Sequence, residues 1–369
     1  MTPEVFFDQL ENHLSKELPL VVYRKPMKSG LRALLQNTDA LYEVKNFKES
    51  GFVFAPFDSQ SRKVLIQYSE VLELASYSPK KFEPEVRLNI DTEDVGNKDH
   101  HLRLVQNAVT SIKQGHLKKV VLSRVLKGHA TRKPLSLFQR LLALYSNAFC
   151  YLFYHPKVGL WLGATPEILL QVRNNRLTTM SLAGTKPYVN GQEPEWGEKE
   201  ILEQKYVTEY IEEALENEIS ELNSGSLESA RSGKLWHLRT KISGKIENQN
   251  LEGVLEKLHP TPAVCGLPKL ESKDFILENE GYDRQFYTGY LGELNMKQEK
   301  MRSSRRANQE NQVYRSINRF TELFVNLRCM QLVKDQALIY VGGGITAGSD
   351  PENEWDETVL KSKTMSSIL

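Results

Sequence analysis

The sequence predicts an α+β protein, because many short strand-like runs follow one another in meander order instead of alternating strictly with helices. An apolar share of 40% over 369 residues is enough for a sizeable core. No internal repeat with a period of about 20–50 residues points to a solenoid or propeller.

Taken in order, the N-terminus MTPEVFFDQLENHLSKELPL is acidic and amphipathic and lacks the basic-then-apolar order of a secretory signal. The first hundred residues then alternate strand-like runs (LVVYR, GFVFAPF, KVLIQY) with polar joints, and Tyr77 to His101 is polar enough to read as a long connection. HLRLVQNAVTSIKQG has helical spacing and stops at Gly115, KKVVLSRVL reads as a strand, and SLFQRLLALYSN as a helix. FCYLFYH, GLWLGA, EILLQVR and RLTTMSLAG read as successive strands, followed by a helix over Glu198 to Leu222 and the strand LWHLRTKISGKI. Beyond a proline-rich turn come FYTGYLGEL, ELFVNLRCMQLV and ALIYVGGGI, then a C-terminal helix. Between two of these runs, Lys297 to Arg315 carries six basic and two acidic residues with almost no apolar periodicity, which predicts a long mobile hairpin loop.

Charge and cysteine usage exclude several functions. The 48 Lys+Arg nearly cancel the 47 Asp+Glu, so no bulk field favours nucleic acid or an anionic membrane. Cys150, Cys265 and Cys329 are isolated, with neither a disulfide framework nor metal spacing. No uncharged apolar run reaches the ~18 residues of a spanning helix. The expectation is a soluble cytoplasmic protein, read as a monomer.

Some residues look chemical. The helix from Gly197 has an apolar stripe at Val207, Ile211, Leu215 and Ile219, and extending it backwards meets Glu203 and Glu200. A carboxylate in line with a buried stripe needs a cation or metal, unless the stripe simply ends and Glu203 is solvated. On the C-terminal helix, capped by Ser349 or Asp350, Glu354, Glu357 and Lys361 share a face; hard carboxylates so placed suit Mg²⁺, or form an ordinary exposed face. Gly342, Gly343 and Gly344 offer backbone N–H groups for an anion. Lys119 opens a buried strand and Glu167 starts another after Pro166; a desolvated lysine and a buried carboxylic acid form the pair that acid–base chemistry at neutral pH needs. Either one alone also fits a strand-end surface charge. His259 and Arg328 complete the polar set.

The ordered segments KVVLSR, GATPEILL, SLAGT, the Glu203 helix, LHPTPAVCG, YDRQFYTGYLG, VNLRC and GGGITAGSDPENEWDETVLK resemble the chorismate-utilising enzymes, which include isochorismate, salicylate, anthranilate and aminodeoxychorismate synthases. The resemblance covers about Lys119 to Lys361, so residues 101–369 are expected to form the catalytic region and 1–100 a motif-free part of the same fold. It implies one large domain of two packed, mostly antiparallel sheets with outer helices and the site between the sheets. LHPTPAVCG resembles the isochorismate synthase form, and Ala183 stands where aminodeoxychorismate synthases carry a nucleophilic lysine. The implied activity is reversible conversion of chorismate to isochorismate, serving menaquinone or siderophore synthesis beside other enzymes of the pathway. A salicylate synthase, an ammonia-using synthase and a non-catalytic chorismate-binding protein are the alternatives.

By the same resemblance Lys119 is the base that activates water for attack at C2, and Glu167 the acid that protonates the departing C4 hydroxyl. Glu203 and Glu357, supported by Glu200 and Glu354, hold Mg²⁺. Arg328, Gly342 and Gly344 bind a carboxylate, Gly184 and Thr185 line the C4 side, Ala183 adjoins the substrate and leaves room for water, His259 positions the substrate, and Lys361 lies near the metal carboxylates. The chain departs from the family pattern at Gln204 (often His), at VGGGIT (usually AGAGIV), at Glu293 (usually Trp or Tyr) and in the basic insertion, none of which removes a named group.

Overall fold

Near-continuous apolar runs such as Phe149–His155 need cover on both faces of a sheet. The computed structural model, which describes residues 1–82, 95–187, 193–232, 235–246, 250–299 and 317–369, supplies that cover with two large sheets packed face to face and helices outside. The helices are α1 (Pro3–Ser15), α2 (Val95–Lys113), α3 (Pro134–Leu144), α4 (Glu198–Leu215), α5 (Leu251–Leu258), α6 (Lys269–Asn279) and α7 (Pro351–Ser366). Strands β1 (Leu20–Arg24), β2 (Leu31–Leu35), β3 (Tyr42–Glu43), β4 (Gly51–Ala55), β5 (Val64–Ile66) and β6 (Glu70–Leu74) precede α2. Then come β7 (Lys119–His129), β8 (Phe149–His155), β9 (Gly159–Thr165), β10 (Ile168–Arg173) and β11 (Arg176–Pro187). After α4 lie β12 (Ile219–Ser224), β13 (Glu228–Ser232), β14 (Leu235–Ile246), β15 (Gly266–Leu267), β16 (Tyr290–Glu299), β17 (Ile317–Val325), β18 (Cys329–Val333) and β19 (Gln336–Ile345).

One sheet has the order β15-β7-β19-β18-β9-β8-β1-β2-β6; the other runs β12-β14-β11-β10-β17-β16-β4-β5-β3, with β13 also against β14. The pairings are antiparallel, and strands of the first hundred residues enter both sheets, β1 beside β8 and β4 beside β16. Alternation along β8 sends Phe149, Tyr151 and Phe153 between the sheets, against Phe54 and Phe324 of the facing sheet. Cys150 and Leu152 point the other way, into a core shared with Leu137, Phe138 and Leu141 of α3. On the far side, α4 and α5 cover the second sheet through Val207, Ile211, Leu215, Val254 and Leu255. The three cysteines are buried and free. Among the described residues no helix is long and apolar enough to cross a membrane.

Several expectations change. The helix over Glu198–Leu222 ends at Leu215; Ile219 begins a strand, because the edge of β14 offers Ile246 and Lys245 as ladder partners. ELFVNLRCMQLV is two strands from different sheets, broken at Asn326–Arg328, where Arg328 takes φ +48°. Helices α5 and α6 and strand β2 were not evident in the sequence. Most of the basic insertion, 300–316, lies outside the described residues; its flanks Glu299 and Ile317 pair across β16 and β17.

A charged cluster crosses the interface between the sheets. Glu293 of β16 is 1% exposed, accepts from Tyr23 Oη (2.5 Å) and Arg32 Nη1 (3.0 Å), and pairs with Lys25, which also reaches Glu322 (2.6 Å). The carboxylate gathers Lys25, just beyond β1, and Arg32 of β2 onto the opposite sheet. Removing one partner of a buried group leaves the others uncompensated. Glu293→Ala is therefore expected to destabilise the fold by about 3–5 kcal/mol, readable as a lower urea midpoint.

Candidate active site

Lys119 enters from the first residue of β7, and its side chain runs across Gly344 of the neighbouring β19. A Cβ placed on Gly344 would meet Lys119 Cε at 3.1 Å. Gly343, facing the other way, would put a Cβ 3.2 Å from Glu354 Oε2 on α7. The glycine run thus admits a lysine on one face of the strand and a carboxylate on the other, which any side chain would crowd. Lys361 Nζ donates to the Gly342 carbonyl (2.8 Å) and pairs with Glu357 (2.7 Å) one turn earlier. Asp350 is the cap of α7, its carboxylate accepting from Asn353 N–H at 3.0 Å.

Glu167 follows Pro166 at the mouth of β10, where its carbonyl accepts from Val325 N–H (3.0 Å). Burial pushes its carboxyl up to about 7, against the opposing pull of the Lys119 and Arg328 charges. The two residues read from separate strands as a base and an acid are therefore within electrostatic reach of each other. Arg328 is there because the chain changes sheets between β17 and β18; burial lowers its guanidinium, and Tyr145 and Glu167 oppose that shift.

Gly184 sits at a bulge in β11 with φ +68°, a conformation that favours glycine, and a Cβ there would stand 3.3 Å from Cβ of Glu200. The backbones of Ala183 and Thr185 pair with Leu238 and His237 of β14. The Gly184 carbonyl accepts from His237 Nδ1 at 3.2 Å. Burial lowers the His237 imidazole, and the charges of Arg328 and Lys361 lower it further, so this histidine stands between β11 and the cationic side of the site. Sequence reading passed over it; the available signal was a lone histidine inside the apolar run LWHLRTKI.

His259 is buried. Its ring is 4% exposed, packs edge-on against Tyr290 (4.9 Å), and directs Nε2 to the Pro56 carbonyl (3.3 Å). Burial, with Lys269 and Lys273 beyond it, drops its imidazole to about 3. It lines a separate cavity of about 260 Å³ with Lys269 and Tyr290, and does not join Lys119, Glu167 and Arg328. What the HPTPAV loop contributes to the site is Thr261 and Ala263, which line the crevice beside Glu167 and Val325.

The metal expectation rests on α4 and α7. Glu200 Oε2 accepts from Gly197 N–H (3.0 Å) and so caps its own helix. The side chain of Glu203, one turn on, lies outside the described residues, as do those of Ala183 and Thr185. Among the described residues no three His, Cys, Asp or Glu side chains converge as a metal cage. The donor chemistry still fits Mg²⁺, which takes one or two carboxylates with substrate oxygens and water in preference to an all-protein cage. Glu354, cradled against bare Gly343, would supply one such carboxylate, and Glu357 lies one turn further along α7.

Lys119 and Arg328 thus act electrostatically on the Glu167 carboxyl, and Arg328 and Lys361 on His237. Comparison with known proteins supplies the family. Residues 53–315 match the chorismate binding enzyme family, and residues 312–367 match a second family of the same description. The chain belongs to the chorismate binding enzymes. It is 29% identical over 307 residues to isochorismate synthase EntC of Escherichia coli K12, covering 79% of this chain and 73% of that protein. To isochorismate synthase DhbC of Bacillus subtilis it is 28% identical over 283 residues, covering 71% and 65%. The solved structure of MenF, the menaquinone-specific isochorismate synthase of Escherichia coli, superposes with a TM-score of 0.74 at 21% identity, over 95% of this chain and 88% of that one.

Proposed function

We propose that the protein is a Mg²⁺-dependent isochorismate synthase that interconverts chorismate and isochorismate. The observation that carries this reading is geometric: Lys119 runs across bare Gly344 at the start of β7, with the Glu167 carboxyl and Arg328 within electrostatic reach. Relatives named isochorismate synthases support it, and so does alanine at position 183, which leaves room for water where a lysine nucleophile would stand.

In this scheme Lys119 takes a proton from water as its oxygen bonds to C2. Both double bonds of the ring diene shift, C1=C2 to C1=C6 and C5=C6 to C4=C5, and the C4–O bond breaks as Glu167 gives its proton to the departing hydroxyl. Water is added and water is lost, so atoms and charge balance, and proton exchange with solvent resets the pair. Arg328 holds the enolpyruvyl carboxylate through charge-assisted hydrogen bonds, with the Gly342 and Gly344 backbone beside it. His237, held by the Gly184 carbonyl, fixes the C4 side of the pocket. Glu203 and Glu357, with Glu354 and Glu200 adjoining, would hold Mg²⁺, which when bound neutralises the ring carboxylate.

The test is product identification after incubation with chorismate and Mg²⁺. Isochorismate without pyruvate is expected; salicylate with pyruvate would assign a salicylate synthase, and binding without turnover a non-catalytic protein. Glu357→Gln is expected to raise the Mg²⁺ concentration needed for half-maximal activity about tenfold or more, and an unchanged titration removes Glu357 from the ligand set.

A further inference from the structure

Strand β7 carries Lys119, yet among the described residues its outer edge has a strand neighbour only at Lys119 and Val120, where β15 pairs with it. Farther along, side chains cover the edge. Arg284 Nη2 donates to the Val121 carbonyl at 2.7 Å, and Glu280 Oε1 accepts from Ser123 N–H at 2.7 Å and Ser123 Oγ at 2.9 Å. The same guanidinium uses Nη1 on the Val264 carbonyl (3.1 Å) and Thr288 Oγ1 (3.2 Å), and returns to Glu280 through Nε (2.7 Å) and Nη2 (2.5 Å). Arg284 is 2% exposed and Glu280 5%. Val264 belongs to the loop whose Thr261 and Ala263 line the Glu167 crevice, and Cys265 accepts from Val121 N–H at 2.7 Å. One buried ion pair therefore joins the strand that presents the lysine to the loop behind the carboxyl.

We propose that Glu280 and Arg284 are positioning residues: they hold β7 and the 259–265 loop at the separation that lets Lys119 and Glu167 act on opposite sides of one substrate, an inference that rests on the isochorismate synthase reading. The rigid fork is what the task requires. A lysine keeps the charge but is a point donor that cannot hold two carbonyls and two carboxylate oxygens in one plane. Misplacing a catalytic group by about 1 Å costs on the order of a hundredfold.

The experiment compares wild type with Arg284→Lys. Expected are a kcat lowered about 10- to 100-fold, a KM for chorismate that stays near the wild-type value, and faster amide hydrogen exchange across 119–124 and 261–266, with the melting temperature close to wild type. Should Arg284→Lys fail to fold, the charge-neutral Glu280→Gln/Arg284→Met pair takes its place, since a buried ion pair replaced by groups of similar volume often keeps stability. An unchanged kcat in the folded variant, with or without faster exchange, overturns the proposal. If wild type makes no isochorismate, the reaction reading fails by itself; exchange then tests the bracing, and unaltered protection in 119–124 and 261–266 overturns that.

Discussion

Lys119→Ala is expected to lower turnover of chorismate by about 10²–10⁴ while leaving substrate affinity close to wild type. The size follows from the role. A positioned base supplies that range of rate when water must lose its proton as it attacks. Affinity is spared because the carboxylates of the substrate are assigned to Arg328, the glycine backbone and the metal. The measurement is kcat at saturating chorismate with a binding titration beside it; wild-type-like turnover would sink the base assignment.

Glu167→Gln is expected to cost a similar factor, about 10²–10⁴, and it carries a pH signature. With its carboxyl held near 7 by burial, Glu167 is a donor only below that pH, so kcat/KM for chorismate should fall as pH rises through about 7. The reverse reaction needs the carboxylate, and its limb should run the other way. Stability follows from the same shift. The folded value lies above the ordinary 4.5, so between about pH 4.5 and 7 the native state keeps a proton that the unfolded chain has lost, and stability declines as pH rises through that window. Glutamine has no proton to lose. The variant should match wild type near pH 5 and exceed it by about 1–3 kcal/mol near pH 8. Equal stabilities at both pH values would remove the buried-acid account.

Lys119 and Glu167 stood out in the sequence because each opens an apolar strand, and Arg328 and the glycine run because the order of motifs resembled a family. The place of His259 was not legible in the sequence. A histidine beside prolines looks the same in one dimension whether its ring faces a substrate or a tyrosine. The ring of Tyr290 and the carbonyl of Pro56, far away along the chain, settle which. His237 was missed because its neighbours in sequence are core residues; only register across β11 brings it to Gly184. The stripe on α4 continued in pattern to Ile219, but a free edge on β14 outweighed helical periodicity there.

From the chain by itself came the α+β character and the near-neutral charge balance, since these depend on residue type and local spacing. The folded molecule decided which polar groups meet. Antiparallel pairing brings residues such as Lys119 and Ile345 into neighbouring strands, and the break at Arg328 moves one run between two sheets. Distance, burial and charge at the site arise from those long-range pairings, which no local pattern encodes.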